Sequence, residues 1–150
     1  DKVTIFPWGN VFEPKSKSES TDNTSVDTRY YANIYHGKFP NDNSALDGYK
    51  STAPVHAYGP QNDYGLYNMI GNAWEWCSDW WVRDHKYMML DPALLVNPQG
   101  PEHGDEKVKK GGSFLCHKSY CYRYRVAARH KTSIDSASQN SGFRCAKSIS

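Results

Sequence analysis

The sequence predicts an α+β fold with little regular secondary structure, and three observations carry that reading. Turn signals are dense, in FPNDNSALDGY, YGPQNDYG, NPQGPEHGDE, KGGS and SQNSG, and the apolar stretches between them rarely exceed five residues. Stretches that short do not sustain long helices. Mean hydropathy is low, −0.80, yet 14% of the residues are aromatic. Each aromatic side chain buries on the order of 150–250 Å², so a core is possible if it is built from Trp, Tyr and Phe. A length of 150 residues suits one domain, or part of one.

The elements follow in chain order. Ile5-Phe6-Pro7-Trp8-Gly9 reads as the end of a strand entering a turn, with nothing before it to pair with, and upstream residues are therefore expected. Residues 13–28, EPKSKSESTDNTSVDT, have Val26 as their one large apolar residue and read as a solvated insertion. Within it Asn23-Thr24-Ser25 is an N-glycosylation sequon, relevant only in a secretory compartment. Short strands are expected at Thr52 to Ala57, Ala73 to Asp79, Lys107 to Lys110 and Gly142 to Ala146. The best strand candidate is Tyr120 to Arg129, where Tyr120, Tyr122, Tyr124 and Val126 alternate with Cys121, Arg123 and Arg125 to give an aromatic and a basic face.

No run approaches the ~18 apolar residues of a membrane span, and DKVTIFPWGN has no apolar signal-peptide core. Formal net charge is only +2, which disfavours a polyanion-binding domain, but from Lys107 to Ser133 there are eight Lys/Arg and no Asp/Glu. The positive charge surrounds Cys116 and Cys121, in CHKSYC. A bridge between two cysteines so close in sequence would close a tiny loop and add little stability. Three readings are open: a structural disulfide, a pair of buried free thiols, or a reactive dithiol that cycles or holds a metal. His117, Lys118, Arg123 and Arg125 nearby would stabilise thiolates and favour a functional pair. Without a further His or Cys pair the two thiolates suit tetrahedral zinc poorly, whereas soft Cu(I) accepts two thiolates and leaves a position open. His117 itself reads as a surface or hydrogen-bonding side chain.

GGSFLCHKSYCYRYRVAAR, followed by SIDSASQNSGFRCA and preceded by FPWGN and YGLYNMIGNAWEWCSDWW, resembles the formylglycine-generating enzyme, or sulfatase-modifying factor, family over most of residues 5–147. The resemblance implies a C-type-lectin-like fold that is incomplete at its N-terminus, this chain being the C-terminal part of the catalytic domain. It also implies a copper-dependent oxidase that uses O2 to convert a cysteine in a sulfatase Cys-x-Pro-x-Arg segment into Cα-formylglycine. Cys116 and Cys121 would bind Cu(I), the substrate thiolate would add as a third ligand, and no structural disulfide would join the pair in the active form. Ser113 matches the family's active-site serine, Trp74 and Tyr120 match aromatics of the substrate groove, and Asn140 matches a polar group close to the site. For Ser113 a turn role after two glycines, and for Trp74 and Tyr120 a place in the core, are the plainer alternatives.

The same resemblance implies two calcium sites, one from Asn33, Ile34, Asp47 and Tyr49, the other from Asn68, Gly71, Ala73 and Glu75, with Ile34, Tyr49, Gly71 and Ala73 donating carbonyls. Hard Ca²⁺ wants such oxygens, although from sequence alone both segments read as ordinary turns; neither is an EF-hand. The partners implied are nascent or unfolded sulfatase polypeptides and the missing N-terminal half of the domain, where Cys145 would find its disulfide partner. Cys77 and Val126 depart from the family pattern. The implied compartment is the endoplasmic reticulum lumen or the secretory route. Two other readings are a non-catalytic binding module of the same fold, whose relatives lack the cysteine pair, and a single-stranded nucleic-acid binder using the Arg/Tyr interleaving of residues 120–129. The modest net charge argues against the latter.

Overall fold

The structure, a computed structural model, describes residues 3–12, 30–84, 96–98 and 100–148. The expected insertion and the Asn23 sequon lie outside the described residues. Among the described residues there are six short strands: β1 (Gly37–Lys38), β2 (Asp42–Asn43), β3 (Trp74–Trp80), β4 (Glu106–Lys110), β5 (Arg129–Ser133) and β6 (Ser141–Gly142). Among the described residues there is no helix, and none therefore long and apolar enough to cross a membrane. The regular structure seen is the β part of the predicted class.

β1 and β2 form an antiparallel hairpin, and the other four strands make one sheet in the order β5-β4-β3-β6. β3 and β4 are antiparallel, with Glu75 opposite Lys110 and an irregularity between Trp76 and Trp80. β4 and β5 are antiparallel from Glu106–Ser133 to Lys110–Arg129, and β6 lies parallel to β3 at Trp74 and Glu75. The expected strands at Ala73 to Asp79 and Lys107 to Lys110 are thus β3 and β4.

Three expectations need correction. Tyr120 to Arg129 is not a strand, because local bonds fold it into successive turns: the Tyr120 and Cys121 amides donate to the His117 carbonyl, Arg123 N–H to Cys121 O, and Ala128 N–H to Arg125 O. Pairing begins only at Arg129, and Tyr124 is the single buried tyrosine of the alternating set. Thr52 to Ala57 is not a strand either, since Pro54 accepts from the Ala57 amide in a turn. Gly142 to Ala146 shrinks to the two-residue β6, after which Phe143 is exposed and Arg144 turns back to Glu75. β5, with the sequence RHKTS, is an edge strand whose polarity hid it; lysine and arginine are common on such edges.

The core is aromatic, as the composition requires. Phe6, Ala32, Ile34, Ile70, Trp74, Cys116 and Tyr124 are buried together, with Trp8, Phe12 and Cys121 packed against them. Phe6 stacks 5.6 Å from Trp8 and meets Phe12 edge-on at 5.0 Å, and Trp8 stacks on Tyr31 at 4.7 Å. The opening segment pairs with itself, Phe6 and Gly9 exchanging backbone bonds, while Ile5 O accepts from Val126 N–H. That closure brings the chain's start against the cysteine-bearing segment.

Candidate active site

At the end of β4 two glycines turn the chain. Gly111 (φ 88°) and Gly112 (φ 72°) occupy the left-handed region, which glycine enters without penalty. A Cβ on Gly112 would sit 3.1 Å from the Tyr124 backbone nitrogen. Ser113 follows, completely buried. Its carbonyl accepts from Cys116 N–H at 2.9 Å, the His117 carbonyl accepts from Cys121 N–H at 2.8 Å, and the Cys116 carbonyl accepts from Tyr35 N–H at 2.9 Å.

These backbone bonds bring Cys116 and Cys121 to a Cα separation of 4.8 Å, and here the two sulfurs are joined in a disulfide. The bonded pair excludes two separated buried thiols; it is the oxidised state of the pair expected to be reduced in the active form. Cys116 is buried, whereas Cys121 is only partly so. These backbone bonds hold both residues alongside the disulfide, and so short a loop gives the bridge little chain entropy to remove.

The other expected site residues converge unevenly. Ser113 Oγ accepts from Asn140 Nδ2 at 3.0 Å and from Leu115 N–H at 3.3 Å, and the Asn140 carbonyl accepts from Trp74 N–H at 2.8 Å. Ser113, Asn140 and Trp74 therefore form one connected group, with the hydroxyl hydrogen of Ser113 still available to donate. The Trp74 side chain itself is in the core, facing His130 at 5.6 Å and capped by Lys109 Nζ at 5.0 Å. Tyr120 is exposed; its hydroxyl donates to Leu115 O at 2.7 Å and its ring lies 5.1 Å from Phe39 at the hairpin tip. Desolvation, with Tyr35 nearby, pushes its phenol up to about 12, so it stays a donor. His117 pairs with Ser119 Oγ at 2.8 Å on the surface. Arg125 lies over Tyr122, 4.6 Å from the ring.

The first calcium set fits a hard cation. Asp47 is buried, accepting from Ile34 N–H at 2.8 Å and Tyr49 N–H at 3.1 Å. His36 Nε2 lies 3.3 Å from Asp47 Oδ2. Asn33, fully buried, spends its amide donors on Ser51 O (2.7 Å) and Asn72 Oδ1 (3.1 Å), which leaves Asn33 Oδ1 buried without a partner among the described residues. An orphaned buried acceptor on the residue preceding Ile34, whose N–H holds the buried Asp47 carboxylate, is what an oxygen-seeking cation would satisfy.

The second set does not fit one as it is arranged. Asn68 (φ 49°) and Gly71 (φ 76°) bend the segment through turns, but the Glu75 carboxylate is held by both donating edges of Arg144, Nε at 2.6 Å from Oε2 and Nη2 against Oε1. Nη2 also reaches Tyr67 O at 2.9 Å and Asn68 O at 3.2 Å. A guanidinium meets the oxygens that a calcium ion would take.

Sequence reasoning missed Arg144, although GFRCA contains it, and also Asn72, Gln61 and His36. Cys77 and Cys145 are free. Burial, with Asp79 next in effect, pushes the Cys77 thiol up.

Residues 2–149 match the family described as sulfatase-modifying factor enzyme 1-like domain. The formylglycine-generating enzyme of Bos taurus is 51% identical over 142 residues, covering 95% of this chain and 33% of that protein. The inactive C-alpha-formylglycine-generating enzyme 2 of the same species is 35% identical over 147 residues, 97% of this chain and 38% of that protein. Among solved structures, Treponema denticola variable protein 1 superposes with a TM-score of 0.52 at 27% identity, over 81% of this chain and 37% of that one. The chain thus spans about a third of the bovine enzyme's length. Matched over nearly its whole length, the chain belongs to the sulfatase-modifying factor enzyme 1-like family.

Proposed function

We propose that this chain is the cysteine-bearing part of a formylglycine-generating oxidase that acts on a cysteine in Cys-x-Pro-x-Arg segments of nascent sulfatases. The observation that carries the reading is the Cys116–Cys121 pair. Its backbone is fixed by bonds to Ser113, His117 and Tyr35, with one sulfur buried and the other residue partly open. Likeness to named formylglycine-generating enzymes at about half identity supports it. The inactive relative makes a non-catalytic module the competing outcome. The nucleic-acid reading loses its support, since the two-faced strand it needed is a run of turns.

The reduced pair suits Cu(I), a soft ion that takes two thiolates in low coordination. Bound there, Cu(I) would supply the one-electron chemistry that O2 requires. The overall change turns the substrate's Cβ–SH into an aldehyde and releases sulfide; it consumes one O2 with two electrons and two protons from a pair of external thiols, which become a disulfide, and yields one net water. This chain's own residues position the reactants. Ser113, held by Asn140, would donate its hydroxyl hydrogen beside Cys116, and Tyr120 and Phe39 would form an apolar rim for the substrate peptide. A calcium ion would be held by Asn33, Ile34, Asp47 and Tyr49. At the second set it would first have to displace Arg144 from Glu75. The compartment proposed by likeness is the secretory route.

The test uses a chimera in which this chain replaces the matching stretch of the bovine enzyme. Cys116→Ser or Cys121→Ser is expected to abolish formylglycine formation in a Cys-x-Pro-x-Arg peptide, read by mass spectrometry with copper present. Stability should change by no more than about 0.5 kcal/mol, the usual range for substitutions away from structural features. Full turnover by either variant would sink the dithiol mechanism. Activity falling only in step with stability would favour a structural bridge.

A further inference from the structure

The loop that carries the orphaned Asn33 oxygen and the loop that carries the cysteines are fastened to each other at two points. Tyr35, two residues beyond Asn33, donates its N–H to the Cys116 carbonyl at 2.9 Å. The second fastening runs through Asn72. Its backbone N–H donates to the Asn33 carbonyl at 2.8 Å, and its own carbonyl accepts from Phe114 N–H at 2.9 Å, inside the cysteine loop.

The Asn72 side chain strengthens that link. Asn72 Oδ1 accepts from Ala53 N–H at 2.7 Å while Nδ2 donates to Ala53 O at 3.2 Å. The amide cannot turn over without losing both bonds, so its orientation is settled by the backbone of residue 53. With Oδ1 fixed, the neighbouring Asn33 must present its NH₂ to Asn72, at 3.1 Å, and to Ser51 O. Asn33 Oδ1 is left facing no donor among the described residues, in a fully buried position. Asn72 therefore determines which end of the Asn33 amide is free for a cation. Its φ of 61° lies where asparagine and glycine are tolerated and most side chains are strained.

We infer that Asn72 is a positioning residue that couples a hard divalent cation at Asn33 and Asp47 to the redox state of the Cys116–Cys121 pair. The inference rests on the cation site proposed above and goes beyond it. A cation drawing on Asn33 Oδ1 stiffens the Asn33–Asn72 contact, and through the bonds to Phe114 N–H and Cys116 O restrains the backbone from Phe114 to Cys116. Coupling of this kind is reciprocal: if the cation favours one state of the pair, that state binds the cation more tightly by the same factor.

Calcium affinity is measured by titration calorimetry on the full chain, and again on the chimera, once with the disulfide intact and once after two-electron reduction by a phosphine. The two dissociation constants are expected to differ by about fivefold or more, the lower range of measured couplings. Asn72→Gly tolerates the positive φ and removes the side chain, and should bring the ratio close to one while weakening calcium binding. Asn62→Gly, which removes a partly buried turn amide whose Oδ1 accepts from Tyr64 and Leu66 N–H, should leave the ratio unchanged. A ratio of one in the unaltered chain overturns the coupling whatever the variants do, and an undiminished ratio in Asn72→Gly removes Asn72 from it. No calcium binding in either state would instead overturn the cation site, and the coupling with it.

Discussion

His130 on β5 places its ring 5.6 Å from Trp74 and donates through Nδ1 to Lys131 O at 2.6 Å. Burial is the chief influence on its titration and lowers its affinity for a proton; Arg123, Lys109 and Lys131 act in the same direction against that one backbone bond. The folded state thus holds this imidazole neutral below the ordinary value of about 6.5. Between the two values the unfolded chain binds more protons, so the contribution is present above about pH 6.5 and lost as pH falls through the folded value. The chimera is expected to melt at a lower temperature at pH 5 than at pH 7.5, with a smaller difference in His130→Gln. An unchanged difference would place the acid sensitivity elsewhere. Asn72 and Gln61 teach a related lesson at this scale. Gln61 donates to Tyr31 O and Ile70 O and accepts from Ile70 N–H, acting as a strand partner would. A buried amide standing in for backbone cannot be told in sequence from an amide in a solvated turn.

Among the elements, the β1–β2 hairpin was overlooked by sequence reasoning, as β5 was, because each of its strands is two residues long and carries no periodicity. It matters because it holds Phe39 beside Tyr120. Gly37 at its start has φ 134°, and an added Cβ would collide with the Asp42 carbonyl oxygen. Gly37→Ala is expected to cost about 1–3 kcal/mol, the range for a residue forced into a sparsely populated conformation. Denaturant unfolding of the chimera would register this as a lower midpoint, and a midpoint that did not move would mean the hairpin can relax away. β3 and β4 were legible because their residues alternate between two environments that exist: Val108 is buried while Lys107 and Lys109 lie over Trp80 and Trp74. Tyr120 to Arg129 alternates equally well, but the local turn bonds formed at His117 and Arg125 outcompete any ladder.

Across the whole molecule, large apolar side chains remain in solvent: Val3 is 90% exposed, Tyr64 87% and Phe143 77%. The relatives are much longer than this chain, which covers 33% of the bovine enzyme, and on the proposed reading the rest of the domain covers these side chains. The 150-residue chain is expected to brighten a hydrophobic dye of the anilinonaphthalene type, and the chimera to do so much less. Equal dye binding by the two would mean that these side chains face water in the complete domain as well.

The sequence by itself determined what depends on local order and composition: the aromatic core, the dense turns, the β3 and β4 segments, and the proximity of Cys116 and Cys121, since two residues five apart across a turn can scarcely be elsewhere. Its motifs also carried the family, because GNAWEW, CHKSYC and GFRCA are contiguous strings. Only the tertiary structure decided which distant groups meet. Ser113 receives Asn140 across 27 residues and Asn33 meets Asn72 across 39. Arg144 reaches Glu75 across 69, where a cation had been expected. Such pairings depend on where the sheet order β5-β4-β3-β6 delivers each loop. That order reflects the burial of Trp74, Phe6 and Tyr124 against one another, a condition on the whole chain that no local stretch contains.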